Sequence, residues 1–280
     1  MTHKVRLFQI VYSPETMASR DPGFEVLDNV SNERPDWFEY WPVRRYFAEN
    51  GIEEGTSYGF FSPKFFAKTG LRRTDIDVHL GGLGADEVVL FSPFPDQGVM
   101  HLNQIEQGER SHPGLLDLLA QLYPRDGRLL VQTTRTTSYC NYFVAGGAFW
   151  SRWLELADRL FQLAENPYSR YGQSLSAATS HHGRWVAPMK IFCIERLAGL
   201  MLADEERWRP SAPLAHRMPT LDARLAHRRD ELVALDRLKQ LAVSTGRFDL
   251  YIPQFLQARQ GLRRSLSGER VRTGSGGTPA

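Results

Sequence analysis

The sequence predicts an α/β fold, a mixed sheet flanked by helices, with a helical extension at its C-terminal end. Three observations carry this. Short apolar, β-branched runs alternate with segments of helical periodicity over residues 1–203, the pattern of a largely parallel or mixed sheet. Two of those runs stop on the same edge, Phe61-Ser62-Pro63 and Phe91-Ser92-Pro93, because proline cannot donate to a sheet ladder. Past Asp204 the composition turns to charged and basic amphipathic helix.

Residues 5–11 alternate as a first strand that ends at Tyr12-Ser13-Pro14, and residues 20–36 read as irregular around the turn Asp21-Pro22-Gly23. An aromatic cluster, Trp37, Phe38, Tyr40 and Trp41, leads into a short helix with Pro42 in its first turn and a stop at Asn50-Gly51. A strand over 57–61 precedes a helical turn closed by Thr69-Gly70, and another helix opens at Thr74-Asp75. The central strand, 87–91, is followed by helices over 98–108 and 113–122, the latter burying Leu115, Leu116, Leu118 and Leu119. Residues 128–132 and 139–145 alternate as strands joined by the threonine-rich loop 133–138. The strongest helical period runs over 147–165, with Phe149, Trp150, Trp153, Leu154, Ala157, Leu160, Phe161 and Ala164 at three- and four-residue steps. A loop over 166–187 carries His181 and His182, and the helix over 189–203, apolar almost all round, is expected in the interior. A charged helix over 220–243 and a basic one over 247–266 follow, giving an α/β domain over 1–203, a helical basic extension over 204–266 and a disordered tail over 267–280.

Composition narrows the class. An apolar fraction of 42% with 24% charged residues supports one large globular domain, and a formal net charge of +2 argues against a nucleic-acid partner. Cys140 and Cys193 show no metal-ligand spacing and read as reduced, buried thiols. With no signal-peptide core at the start and no run of about eighteen apolar residues, a cytoplasmic protein is expected, with a peripheral contact at the inner membrane through 247–264.

Candidate chemistry gathers where strands end, since ligands of open α/β sheets bind outside the carboxyl ends of the strands. Asp96, with Gln97 beside it, leads: its carboxylate would ligate a metal, orient a sugar hydroxyl or act as a base, or else close its own turn. Asp75-Ile76-Asp77 is the only DxD; such a pair holds a divalent cation against a diphosphate, or complements the dipole of a helix capped by Thr74. Glu106, Glu109 and His112 form either a base with hydroxyl clamps or a solvated helix end. Tyr12, Ser13 and Asn141 lie at strand ends, and Lys64 and Lys68 flank Phe65-Phe66 as point charges for a phosphate. His181-His182 lacks a partner at ligand spacing and reads as an exposed loop pair. No glycine fingerprint supports a dinucleotide or P-loop site, and no GxSxG elbow supports a nucleophilic triad.

Four segments add a resemblance. Trp41-Pro42-x-Arg44, residues 58–65 with Lys68-Thr69-Gly70, residues 90–97, and Asn141-Tyr142-Phe143-Val144 followed by Phe149-Trp150 resemble segments of bacterial glycosyltransferase-like proteins of the GT-A type from surface-polysaccharide gene sets. The resemblance covers about residues 3–203. It implies a Rossmann-like GT-A fold, a nucleotide-sugar site at the first strand, and a divalent metal, Mn or Mg, held by a DxD at the end of the fourth. The chain departs from that pattern, because Phe91-Ser92-Pro93 and then Asp96 stand at that strand end with no second acid one residue away. Metal dependence and retaining or inverting chemistry stay open.

The resulting expectation is a hexosyltransferase-like enzyme of polysaccharide biosynthesis that moves a sugar from a nucleotide-diphosphate donor to a cytoplasmic glycan or lipid-linked acceptor. Tyr12 and Ser13 would meet the nucleoside, with Lys64, Gln97 and Asn141 completing the donor site. Asp96, through a metal, would meet the diphosphate or donor sugar, while Glu106, Glu109 or His112 supplies a base or orients the acceptor. The alternatives are a non-catalytic carbohydrate-binding protein and a membrane-surface scaffold. The transferase expectation requires Asp96 and Asn141 to open into one hollow rimmed by aromatic rings.

Overall fold

The structure, a computed structural model, describes residues 3–124, 129–181 and 185–274. Among them are the strands β1 (Lys4–Val11), β2 (Glu25–Asp28), β3 (Thr56–Phe61), β4 (Glu87–Leu90), β5 (Phe143–Gly146), β6 (Ala178–His181), β7 (Trp185–Pro188) and β8 (Arg209–Ser211). Six form one mixed sheet in the order β2-β1-β3-β5-β4-β8, and β6 and β7 make a separate antiparallel hairpin. β1 runs parallel to β2 and β3, β4 runs parallel to β8, and β5 lies antiparallel between β3 and β4. Two consequences set the site. The strand order reverses between β1 and β3, and the reversed β5 brings residues 139–142 to the edge where β1, β3 and β4 end.

The helices are α1 (Pro14–Ala18), α2 (Tyr40–Asn50), α3 (Phe65–Thr69), α4 (Arg73–Asp77), α5 (Pro95–Met100), α6 (Gln104–Ser111), α7 (Leu115–Leu122), α8 (Gly147–Ala164), α9 (Arg170–Ser176), α10 (Met189–Asp204), α11 (Arg229–Thr245) and α12 (Phe248–Gly274). They cover both faces of the sheet, and the strands alternate accordingly. Phe8, Ile10, Phe60, Val88, Leu90 and Phe143 pack beneath α2, α7, α8 and α10, whereas Leu7, Phe61, Val89, Phe91 and Val144 face the opposite core with Leu71 and Ile76. No helix among the described residues is long and apolar enough to cross a membrane.

Several expectations change. β2 replaces part of the irregular stretch over 20–36; it buries only Leu27, as an edge strand does, so no alternation marks it. The helix expected over 98–108 is broken into α5 and α6, because Asn103 accepts the N–H groups of Ile105 and Glu106 and starts a new helix. On α7 the buried face is Leu115, Leu118, Leu119 and Leu122, and Leu116 is exposed. Residues 129–132 join no sheet, and Gln132 donates its N–H to the Leu102 carbonyl instead; Arg128 lies outside the described residues. The strand expected over 139–145 is shortened to β5, and the loop over 166–187 contains α9 and the hairpin. His182 and the side chain of His181 lie outside the described residues. Instead of a tail from Ser267, α12 continues to Gly274; residues 275–280 lie outside the described residues.

A buried polar network docks α10 at the sheet edge. The Gln132 amide donates to the carbonyls of Thr136 and Gly199, and the Gln104 amide donates to that of Arg196. Gln104 Oε1 in turn accepts the Ser138 N–H at 3.1 Å, which fixes the segment leading to β5. Gly199 permits this approach, since a Cβ there would sit 2.3 Å from Gln104 Oε1 and 2.8 Å from the Thr136 carbonyl. Gly199→Ala is therefore expected to lower stability by about 1–3 kcal/mol, read as a lower urea midpoint at unchanged slope.

Candidate functional site

Asp96 does not face a hollow, so the hollow shared with Asn141 that the transferase expectation requires is not formed, and a sugar-transfer site would have to be built without this carboxylate. Phe94, left-handed at φ +56°, and Pro95 turn its side chain inward, where it is fully buried. The carboxylate accepts the backbone N–H of Leu221 at 2.9 Å and of Asp222 at 3.3 Å, and the Gln97 amide at 2.9 Å. Burial pushes its pKa up against those three hydrogen bonds. The adjoining space, lined by Pro95, Gly98, Thr137, Tyr139 and Met218, holds about 10 Å³, room for one water at most. The expected roles of Asp96 and Gln97 are corrected accordingly: they fasten the C-terminal extension to the strand edge.

Glu106, Glu109 and His112 are also engaged in holding the fold. Glu106 accepts the Leu102 N–H at 2.6 Å and Arg259 at 3.0 Å; burial raises its pKa, but these two partners prevail and hold it below the ordinary carboxylate range. Glu109 accepts the N–H groups of Gly114 and Leu116 and so starts α7. His112 is buried, stacked 3.7 Å from Phe192, with Nδ1 3.3 Å from Thr179 Oγ1. Both glutamates line a separate groove of about 490 Å³ between α6, α7 and α10. Ser13 caps α1, accepting the Thr16 N–H, and Lys64 is exposed. The helix-start reading holds for the DxD, with Arg72 in place of Thr74 as the cap: Asp75 accepts the Arg72 N–H at 2.9 Å, and Asp77 pairs with Arg73 at 2.7 Å. The basic segment expected at a membrane is turned partly inward, because Arg259 pairs with Glu106 and Arg263 donates to the Met100 carbonyl.

The side chains that do converge lie at the β1/β3 reversal. Tyr12 directly follows β1; Glu39 precedes α2, just after Phe38, whose φ of +44° is rare for a residue with a side chain. Lys68 comes from α3, and Cys140, Asn141 and Tyr142 lead into β5. Glu195 comes from α10, where every other residue from Met189 to Leu202 is buried and this acid alone is half-buried. Lys68 Nζ stands 3.1 Å from Cys140 Sγ and 5.7 Å from the centre of the Tyr142 ring. The hydroxyls of Tyr142 and Ser62 share a hydrogen bond. Among the described residues Lys68 forms no ion pair within 4.0 Å. The Tyr12 hydroxyl and Asn141 Oδ1 are buried without a partner among the described residues, the kind of vacancy that a ligand's own polar groups satisfy.

Electrostatics assign distinct roles. Burial pushes Glu195 up to about 7, opposed by Lys68 and Arg196 and reinforced by Glu39. Burial also pushes the Cys140 thiol up to about 12, so it stays protonated at neutral pH. Lys68 is held above the ordinary ammonium range by the adjacent Cys140 sulfur and then, against its burial, by Tyr142, Glu195 and Glu39. The Tyr12 and Tyr142 hydroxyls are raised chiefly by burial and remain neutral donors. Lys68 thus stays cationic while burial pushes the Glu195 carboxyl upward, a combination suited to binding an anion.

The expected metal finds no fitting donors. The Asp96 oxygens are taken by N–H groups, and among the described residues no group of three or more His, Cys, Asp or Glu is arranged around an ion. Of the converging residues, Glu39 and Glu195 escaped the sequence reading. A lone acid in the middle of a helix whose other inner positions are apolar save Lys190 and Arg196 was the available signal for Glu195. No protein-family model matches the chain, and no curated protein or solved structure matches it either.

Proposed function

We propose that the chain transfers a sugar from a nucleotide-diphosphate donor to a cytoplasmic glycan or lipid-linked acceptor, in the crevice at the β1/β3 reversal of a GT-A-type sheet. The observation that supports this best is Lys68, a half-buried cation with no ion pair within 4.0 Å among the described residues, set where α/β sheets bind their ligands. A departing diphosphate needs positive charge held in a partly dry site, and Lys68 supplies it in the place first expected of Asp96. The Tyr12 hydroxyl and the Asn141 oxygen, buried polar atoms without a partner among the described residues, are the groups that a nucleoside or sugar would have to reach, whereas the Tyr142 hydroxyl is taken by Ser62. Glu39 and Glu195 are the carboxylates within reach of sugar hydroxyls.

UDP- and GDP-sugars are expected to bind the wild-type protein, and Lys68→Met to weaken that binding roughly 10- to 100-fold, the worth of a hydrogen bond to a charged group. Lys64→Met, at an exposed position, is expected to change it less than twofold. Titration calorimetry decides: unaltered affinity in Lys68→Met, or no donor bound by the wild type, removes the proposal. A donor that binds but is never turned over with any acceptor leaves a carbohydrate-binding protein on the same crevice.

A further inference from the structure

We propose that the free edge of β2 is an interaction surface, on which an extended, lysine- or arginine-bearing segment of another polypeptide joins the sheet as a further strand. This edge lies on the far side of β1 from the crevice at the β1/β3 reversal, so its role is independent of the donor reading.

The backbone supplies the pairing groups. Asn29 donates its N–H to the Val11 carbonyl at 2.8 Å, and Val11 is in register with Asp28. Alternate residues of a parallel ladder turn their N–H and C=O to the same side, so Glu25 and Leu27 address β1 while Val26 and Asp28 address the open side. Arg45 of α2 donates to the Asp28 carbonyl there. Among the described residues the Val26 N–H and C=O and the Asp28 N–H have no partner, and an added strand would satisfy them. The opposite edge of the sheet is closed to such an addition. Arg209 donates its N–H inward to the Asp86 carbonyl, so the residue of β8 that faces outward is Pro210, which has no N–H.

The side chains choose the occupant. Beside the β2 edge runs a groove of about 480 Å³, walled by the strand, the turn after it and α2. Three acids line it, Asp28, Glu33 and Glu49, against one cation, Arg45, which stands 3.9 Å from Glu33. A segment carrying lysine or arginine meets that excess of negative charge favourably, whereas a second β2 edge would bring acids against acids. Val26 and Val30, 37% and 48% exposed, offer apolar contact between the charges.

The test titrates the full chain with two end-blocked peptides, one of alternating lysine and valine and one of alternating glutamate and valine. At low salt the lysine peptide is expected to bind one to one and about tenfold more tightly than the glutamate peptide, an advantage that shrinks as salt is added. Hydrogen exchange over residues 24–30 is expected to slow when the lysine peptide is bound. Val26→Pro removes one outward N–H at a position where an edge strand accepts proline, and is expected to weaken binding about 3- to 10-fold. Glu33→Lys combined with Glu49→Lys, both on the surface, is expected to reverse the preference between the peptides. Equal affinity for the two peptides, or no binding of either at millimolar concentration, overturns the proposal. Lysine-peptide binding that Val26→Pro leaves unaltered and that protects none of residues 24–30 overturns it too, since charge alone would then hold the peptide. Should Val26→Pro not fold, exchange protection in the wild type decides. A wild-type dimer in light scattering that Val26→Pro dissociates would give the edge to a second copy of the chain and overturn the assignment to a basic partner.

Discussion

Asp96→Ala is expected to lower the stability of the protein by about 3 kcal/mol and to release the segment after β8 from the sheet edge. The carboxylate is fully buried and holds two backbone N–H groups, those of Leu221 and Asp222, from 125 and 126 residues further along the chain. Truncation leaves those donors and the Gln97 amide without their acceptor, each at a cost of about 1 kcal/mol or more. Asp96→Asn, which keeps one acceptor oxygen, is expected to lose about half as much. Urea denaturation measures the loss, and limited proteolysis is expected to cut first between residues 212 and 228. A variant of unchanged stability that no longer binds donor would return Asp96 to the ligand-facing role.

Arg196→Met carries the other large effect, a loss of about 3–4 kcal/mol and, for a protein of this size, a melting temperature lower by about 6–15 °C. Its guanidinium is buried, 3% exposed, and donates to the carbonyl of Gln104 at 3.2 Å, that of Phe192 at 2.8 Å and to Gln107 Oε1 at 2.9 Å. Burial lowers its pKa, opposed by the charge of Glu195, so the cation is kept in place by neutral acceptors and one nearby acid. Methionine fills the volume and satisfies none of them. Arg196→Lys keeps the charge but has no planar fork to span three acceptors, and is expected to recover less than half of the loss. Because the same network holds Ser138 through Gln104, donor affinity is expected to fall with stability. Thermal unfolding within about 1 kcal/mol of wild type would sink the argument that this network carries the crevice wall.

The parts of the fold that were legible are those written in a few consecutive residues. The Phe-Ser-Pro stops located the ends of β3 and β4, the three- and four-residue apolar steps located α8, and the unbroken apolar run located α10 inside the core. β2 and β8 were hidden, since an edge strand of four or three residues buries too few side chains to show a period. The site was legible in its place and not in its acids. Tyr12 and Asn141 stood at strand ends in the sequence, Lys68 was one of two lysines flanking Phe65-Phe66 in a helical turn, and the three come together at the β1/β3 reversal. Asp96 occupied an equally favourable edge, yet Met218 and Leu221 close over it.

Sequence by itself determined where the central strands and the long apolar helices form and which strand ends carry polar side chains, because backbone propensity, proline punctuation and apolar period act between near neighbours. Tertiary structure decided which carboxylate is enclosed by backbone donors and which keeps part of its surface exposed. Asp96 and Glu195 are both acids on helices packed into the body, and what separates them is the company brought by distant segments: backbone N–H groups for the one, a lysine and partial exposure for the other. A carboxylate's protonation and reach depend on charge and solvent within a few ångströms, and those surroundings are set only when the chain closes on itself.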